Sequence, residues 1–432
     1  MILNFDAFQK ANQSGSELDN IRIKNFNTFK KKGFPSKKEE NWKYTDLKTI
    51  LYNNLNELEL PNHENTSKYN SEWLLKNFEH NQIILVNGDF VSSTFSFEDK
   101  EKIKIKPLKT ILKDKKDFKK IRDYFTDQQN SLASLNHALV NDGIFLEIED
   151  NYSFNKPLII YNFFNKYSEN KIINNKYFIS LGKNSRLSMV EYYKAEDNIK
   201  YFNNTVHHYS IKKNSILKKF NIDNNLDNSY NCHLTNVKSY SNSIFENFFF
   251  SSGSSFVKNE IHCDLLESFS SCFVNALIFL GKQQNHELKT NVNHKHQNCK
   301  SSQLIKSVLL DKSKGTFQGK IYVEKDAQKT NGYQLSKALV LSENSAFNSK
   351  PELEIYADDV KCSHGSTIGN IDQNSIFYLM SRGLSREQAN KMLVEGFLNE
   401  AIETITERNI QSLISKLFID KINKTKFEIN EY

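Results

Sequence analysis

A short phrase recurs along the middle of this chain: a polar residue, a serine, any residue, then a large apolar one. It reads Asn184-Ser185-Arg186-Leu187, Asn214-Ser215-Ile216-Leu217 and Asn242-Ser243-Ile244-Phe245, and continues as Ser254-Ser255-Phe256-Val257, Ser270-Ser271-Cys272-Phe273 and Asn344-Ser345-Ala346-Phe347. From about Gly143 to Asp372 the segments around these phrases alternate apolar and polar residues, as in Ile144-Phe145-Leu146-Glu147-Ile148. Alternation of period two marks strands with one buried face. Short strands with Ser, Asn and Gly corners are what a β-solenoid requires, because each coil buries its inner face only by stacking on its neighbours. A sandwich or a large antiparallel barrel meets the same pattern and stays open at this point. Asn374-Ser375-Ile376-Phe377 repeats the phrase inside a helical pattern, so composition alone produces some matches.

The flanks have a different period. Residues 1–130 read as a mixed, mainly helical domain, with helical spacing over Ile21 to Lys32, Ser71 to Phe78 and Ile111 to Phe125. Within it Gln82-Ile83-Ile84-Leu85-Val86, stopped by Asn87-Gly88, reads as a strand and turn. Residues 131–371 form the β core. Residues 372–432 return to helix, with Asp372 as an N-cap and Gly383 as a stop. Ser385 and Gln388 make a capping-box pattern for the next helix. Its apolar stripe is Ala389, Met392, Leu393, Gly396 and Phe397. A last helix carries Ile410, Leu413, Ile414, Leu417 and Phe418 at helical spacing.

Composition narrows the function classes. Among 432 residues, 58 Lys and Arg against 51 Asp and Glu give a net charge of +7, mild for this length. The densest basic run, Lys113 to Lys120, is interrupted by Asp114 and Asp117 and reads as a solvated face, not a nucleic-acid site. The five cysteines are odd in number and include no CxxC, which argues against a disulfide framework and for a reducing cytoplasm. The N-terminal residues Met1 to Asp6 lack the basic and apolar regions of a signal peptide, and no apolar run approaches a membrane span. There is no P-loop, no Gly-x-Ser-x-Gly elbow and no Gly-x-Gly-x-x-Gly fingerprint.

Two groups of soft ligands remain. His286, His294, His296 and Cys299 are of zinc-binding type, but no fourth ligand has clear spacing, and a structural role is the plainer reading. Of His207 and His208, adjacent on a strand, at most one points inward; Cys232-His233 has the same geometry. Cys362 and His364 lie two residues apart, on one face of a strand, with Ser363 turned away. Thiolate and imidazole both suit iron, yet two ligands leave a coordination sphere incomplete, so a partner must supply the rest. The isolated chain is therefore expected to hold no metal cofactor.

The block from Pro351-Glu352-Leu353-Glu354-Ile355 through Cys362-Ser363-His364-Gly365 to Tyr378-Leu379-Met380-Ser381-Arg382-Gly383-Leu384 resembles the C-terminal region of the SufB/SufD family. Those proteins are scaffold subunits of the SUF iron–sulfur cluster assembly machinery. The Cys-x-His-Gly form resembles the SufD branch, where the SufB branch reads Glu-His-Glu. Asn41-Trp42-Lys43-Tyr44-Thr45 and Leu135-Asn136 to Asp142-Gly143 are similar to the family as well. The resemblance spans about Glu40 to Thr404. It implies a mainly β protein: a right-handed parallel β-helix flanked by helical domains, a non-enzyme that pairs with a SufB-like subunit and docks the ABC ATPase SufC. It further implies a transient iron–sulfur cluster at the subunit interface, with His364 and Cys362 as candidate ligands. Gly383, Leu384, Met392, Leu393 and Phe397 become candidate partner-binding residues. Two rivals stand beside it: a SufB-like chain that pairs with itself, and a cytoplasmic β-helix enzyme acting on carbohydrate through a groove of acidic and aromatic residues.

Overall fold

A computed structural model describes residues 16–55, 58–61, 68–126, 130–223, 227–425 and 427. The N-terminal segment read above for a signal peptide lies outside the described residues. Two helices open the described chain, α1 (Glu17–Lys32) and α2 (Leu47–Asn54). Strands β1 (Asn81–Val86), β2 (Asp89–Thr94) and β3 (Ile103–Pro107) come next, then α3 (Leu108–Lys113), α4 (Lys115–Ile121) and α5 (Ser131–Leu139). The solenoid strands follow: β4 (Asp142–Ile148), β5 (Leu158–Phe164), β6 (Ile172–Leu181), β7 (Arg186–Ala195), β8 (Tyr201–Ile211), β9 (Ile216–Asp223), β10 (Ser229–Ser239) and β11 (Ile244–Ser251). The series continues with β12 (Phe256–Leu265), β13 (Ser271–Leu280), β14 (Asn285–His294), β15 (Lys300–Leu309), β16 (Lys314–Val323), β17 (Asn331–Val340), β18 (Ala346–Ile355) and β19 (Lys361–Gly369). Helices α6 (Gln373–Ser381), α7 (Arg386–Ile402) and α8 (Arg408–Lys424) close the chain.

From β4 onward the strands alternate between two sheets, odd-numbered in one and even-numbered in the other, and every pairing between them is parallel. The result is a parallel β-solenoid of about eight turns. The recurring phrase is its corner. Asn184, Asn214 and Asn242 take positive φ, the left-handed conformation that Asn tolerates better than other side-chain-bearing residues. A buried corner serine donates its hydroxyl to the carbonyl three residues back at Ser185 to Gly182 (2.7 Å), Ser243 to Tyr240 (2.5 Å), Ser270 to Glu267 (2.7 Å) and Ser345 to Ser342 (2.7 Å), whereas Ser215 reaches down to the Gly182 carbonyl of the coil below. A buried carbonyl in a sharp turn must find a donor, and the serine supplies it without a bulky side chain. Successive corners also touch, since Asn214 Nδ2 donates to Asn184 Oδ1 (2.8 Å) and Asn184 Nδ2 to Asn151 Oδ1 (2.7 Å). Asn374-Ser375-Ile376-Phe377 lies in α6, as its helical surroundings required.

Residues 81–107, placed in the N-terminal section by the sequence, pair into the two sheets. The turn at Asn87 and Gly88, both at positive φ, folds β2 antiparallel onto β1, and β1 runs parallel to β5. Antiparallel β3 covers β4. Ser71 to Phe78 is not a helix beyond a single turn, Ser71–Trp73. Trp73 packs edge-on against Phe163, and the Leu75 amide donates to the Tyr161 hydroxyl, so contacts with the sheet override local spacing. Ile111 to Phe125 is broken at Asp114, whose carboxylate caps α4 by accepting from the Asp117 amide (2.8 Å).

The family-like N-terminal residues attach the flank to the solenoid. Trp42 is buried, with Lys258 Nζ 4.2 Å from its ring centroid. That ammonium donates to the Asn41 carbonyl (2.8 Å) and to Glu287 Oε2 (2.5 Å), while Glu287 Oε1 accepts from the Thr45 hydroxyl. Asn136 reaches across two coils, donating to the carbonyls of Asn175 and Asn204, both at 2.8 Å. Gly143 has no room for a side chain, because a Cβ there would sit 2.0 Å from the Lys176 carbonyl oxygen.

The interior is apolar over most of its length but polar near β7 to β10. There Glu191 accepts from Lys219 Nζ (3.0 Å), Tyr193 (2.9 Å), Tyr209 (3.1 Å) and Asn221 (3.0 Å), with His207 Nε2 at 3.1 Å. Burial opposes the charge on Glu191, and the facing His207 and Lys219 outweigh it, holding the carboxyl well below its usual range.

Two outcomes follow from this architecture. Replacing Asn184 by Ala puts a Cβ-bearing residue without a compensating amide at positive φ and cuts both corner bonds. It should cost about 1–2 kcal/mol in urea unfolding, and Asn184→Gly distinctly less. The second concerns pH. Burial depresses His233 to about 3, and His286 and His294 to about 4, from an ordinary value near 6.5. Their neutral forms belong to the folded state, so the stability they contribute is present above about pH 6.5 and is lost as pH falls toward 4. The thermal midpoint should drop between pH 7 and 4, and less steeply in His286→Gln, which has no proton to gain.

Candidate functional site

The two ends of the solenoid differ. At the N-terminal end antiparallel β2 and β3 are the edge strands, each paired on one side only. At the other end β18 pairs only with β16, and β19 only with β17. Each leaves one edge of backbone N–H and C=O groups unpaired among the described residues, a template for a further strand. Pro351 stands within β18, where an edge tolerates its missing N–H.

Register fixes what this end presents. Cys362 lies over Gly332 and His364 over Gln334, and both of those lower residues are buried. Cys362 and His364 therefore share the face that in earlier coils points into the bore. With no coil above them, Cys362 is half-buried against Ile321, Val323, Ala327 and Ala357, while His364 is exposed. Ile355, Tyr356 and Ile368 are exposed at the same end. Burial raises the Cys362 thiol, partly offset by the Gly332 amide. The thiol is therefore held in its protonated form at neutral pH.

The C-terminal helices cover the outer face of the odd-numbered sheet. Asp372 caps α6 through the amides of Asn374 and Ser375, and Ser385 with Gln388 forms the capping box of α7. Gly383 at φ 97 and Leu384 end α6 in a Schellman turn, their amides bonding Met380 and Leu379 carbonyls. The buried stripe of α7 is Ala389, Val394, Leu398, Ala401 and Ile402. It is rotated from the one expected: Met392 is exposed, and Leu393 and Phe397 are half-buried at the margin, with Lys306 over the Phe397 ring at 4.3 Å. The sheet chose Val394 and Leu398 as the inward residues, which spacing alone did not distinguish. Outside this stripe, α6 exposes Phe377 (75%), Tyr378 and Met380. Their i, i+3 spacing was the available signal for an apolar outer face.

The zinc-type residues are not brought together. His286 bonds Ser251 Oγ and the Ser254 carbonyl, His294 bonds Ser301, and exposed His296 contacts Ser268. Cys299 contacts Ser270. Among the described residues no three His, Cys, Asp or Glu side chains are arranged to hold a metal ion. A cleft of about 370 Å³ on the outer face of the even-numbered sheet is lined by Asp123, Tyr124, His208 and Asp264, among others. Both Asp264 oxygens are occupied, by Asn293 (2.7 Å) and Lys295 (3.1 Å). No helix among the described residues is long and apolar enough to cross a membrane.

These features define a parallel β-solenoid protein with an open C-terminal end and a helical flank. Residues 163–397 match the SUF system FeS cluster assembly SufBD core domain, and residues 6–160 match the SufBD protein N-terminal region. The core match covers more than half of the chain, and the protein belongs to the SufBD family of iron–sulfur cluster assembly proteins. The chain is 24% identical to the iron–sulfur cluster assembly protein SufD of Escherichia coli K12, over 88% of each. It is 24% identical to protein ABCI7, chloroplastic, of Arabidopsis thaliana, over 94% of this chain and 86% of that one. A SufBD family protein of Synechocystis is 29% identical over 49% of this chain and 47% of its own.

The exposed end carries an expected outcome of its own. His364→Ala should leave the fold intact and shift unfolding free energy by less than about 1 kcal/mol, because an exposed side chain without neighbours above it supports little packing. A loss of several kcal/mol in denaturant unfolding would instead make His364 a structural residue.

Proposed function

We propose that this chain is a SufD-type scaffold subunit of a SUF iron–sulfur cluster assembly complex. It pairs with a SufB-like subunit through the open end of the solenoid, and its C-terminal helices dock a SufC-type ABC ATPase. The observation that carries the reading is the pair of parallel strands, β18 and β19, with unpaired edges, and His364 exposed on the bore-facing side of β19. A partner strand added there satisfies backbone groups that otherwise face only water, and it brings further ligands to His364. The nascent cluster is cargo: His364 offers it an imidazole ligand or a proton, and Cys362 is the second candidate. Exposed Phe377, Tyr378, Met380 and Met392, next to Gly383 and Leu384, supply the apolar surface that an ATPase contact requires. The domain division that fits this reading is a flank at 1–130, a solenoid at 131–371 and a docking unit at 372–432. All five cysteines are free thiols, in keeping with a reducing compartment such as the cytoplasm.

Co-expression with a SufB-like protein and a SufC-type ATPase, followed by pull-down, tests the assembly. The full chain should retain both partners, and a chain cut before Leu384 should keep the SufB-like partner and lose the ATPase. His364→Ala should retain both partners but carry much less iron and sulfide, with Cys362→Ser affected less if the thiol is only a neighbour. Normal cluster content in the His364→Ala complex refutes the ligand role. Failure to capture either partner refutes the scaffold reading, and a stable dimer of the chain alone favours self-pairing.

A further inference from the structure

Inside the solenoid, beside the Glu191 network, four buried polar atoms have no hydrogen-bond partner among the described residues. They are Asn221 Oδ1, Asp223 Oδ2, Asn231 Oδ1 and His233 Nδ1. All four residues line one small cavity of about 20 Å³. The amide orientations follow from their other bonds. Asn221 Nδ2 donates to Glu191 (3.0 Å), and Asn231 Nδ2 donates to Ser229 (3.0 Å) and Ser254 (2.8 Å), so each carbonyl oxygen is the atom left over. Asp223 Oδ1 accepts from Ser254 Oγ (2.8 Å), which leaves Oδ2. Asn221, Asn231 and His233 are more than nine-tenths buried. Asp223 is half-buried as a residue, but its Oδ2 is sealed from solvent.

Orphaned buried acceptors are costly, and a group of them around one void calls for an occupant that attracts them all. A cavity of this size holds a single small particle. One water has two protons to donate and cannot serve all three oxygens, Asn221 Oδ1, Asp223 Oδ2 and Asn231 Oδ1. A divalent ion fits poorly. Calcium takes six to eight oxygens, magnesium brings several waters, and a single carboxylate does not balance two charges. Zinc and other soft metals want sulfur and nitrogen, and the set offers three oxygens and one nitrogen. The charge ledger points the same way. Lys219 is spent on Glu191. Lys421 of α8 attracts Asp223 from a distance, and no ion pair to Asp223 forms among the described residues. Burial, only partly offset by Ser254 and Ser251, raises the Asp223 carboxyl to about 6, so it still ionises at neutral pH and lacks a contacting counter-charge.

We propose that this cavity is a monovalent cation site, in which Asn221, Asp223 and Asn231 oxygens and His233 Nδ1 bind one sodium- or potassium-type ion within the bore. The ion neutralises Asp223 and ties β9 to β10, strands of opposite sheets, at the level where the interior is most polar. The site is separate from the open end, and its test does not depend on partner binding.

The full-length protein is unfolded and refolded in choline chloride, then titrated with NaCl or KCl at constant ionic strength. The thermal midpoint should rise saturably with at least one alkali cation, by about 2 °C or more over choline. Crystals grown in thallous acetate should show one anomalous peak within the cavity. Asp223→Asn should lose both the cation-specific shift and the peak; if that variant does not fold, the wild-type thallium map decides alone. Equal midpoints in all three salts with no peak in the cavity, or an ordered water in the peak's place, overturn the proposal.

Discussion

A parallel strand in this molecule is half-satisfied until another coil is laid upon it. Each coil supplies one strand to each sheet, and each strand's backbone groups look up and down the axis for partners. Everything else is arranged around that demand. The corners must turn sharply without stranding a carbonyl, which is why Asn takes positive φ and a buried Ser donates three residues back. At the N-terminal end the last strands, β2 and β3, run antiparallel to their neighbours and break the coil pattern. At the C-terminal end the parallel strands β18 and β19 stop the ladder with one edge each unpaired among the described residues.

The flanks add what the ladder lacks. A solenoid has two outer faces, and bare sheets there would expose apolar rows. Helices α7 and α8 bury one of them, with Val190, Phe220, Phe248, Phe279 and Val308 meeting Val394, Leu398, Leu413 and Phe418. On the other face Trp42 is buried, and the Lys258–Glu287 pair binds its segment down. That pair is almost fully buried, so removing either partner alone would strand a charge. The motifs by which the chain resembles its family therefore divide in two. Asn41 to Thr45, Asn136 and Gly143 are attachments between flank and solenoid. Cys362 to Gly365 lies at the open end and stabilises little that the structure shows.

The polar interior follows a related logic. Most of the bore is filled by Leu, Ile, Val and Phe from facing strands. Between β7 and β10 it holds ionisable groups that the same hollow would otherwise exclude, and Glu191 is tolerated only because donors converge on it from several strands. The neighbouring cavity is the place where this matching stops short.

The β class, the corners and the C-terminal helices were legible because they rest on local chemistry. Asn at a left-handed corner, a serine hydroxyl reaching three residues back, Asp372 and Ser385 as caps and Gly383 at positive φ all depend on residues within a few positions of one another. That Cys362 and His364 share a face follows from the strand pleat alone. Other features were decided by contacts far apart in the chain. Ser71 to Phe78 gave up helix because Trp73 found Phe163, and α7 turned Val394 and Leu398 inward because the sheet beneath offered them a partner surface. Strand β1 joined β5 across more than 70 residues. The interior network around Glu191 had no local signature, because apart from Tyr193 its partners lie 16 to 30 residues away and meet only when coils stack. Sequence by itself determined the repeating unit and its corners, since those are short-range hydrogen bonds. Tertiary structure decided which faces meet, where charge is buried and what the last coil leaves exposed, because those depend on which coil has a neighbour.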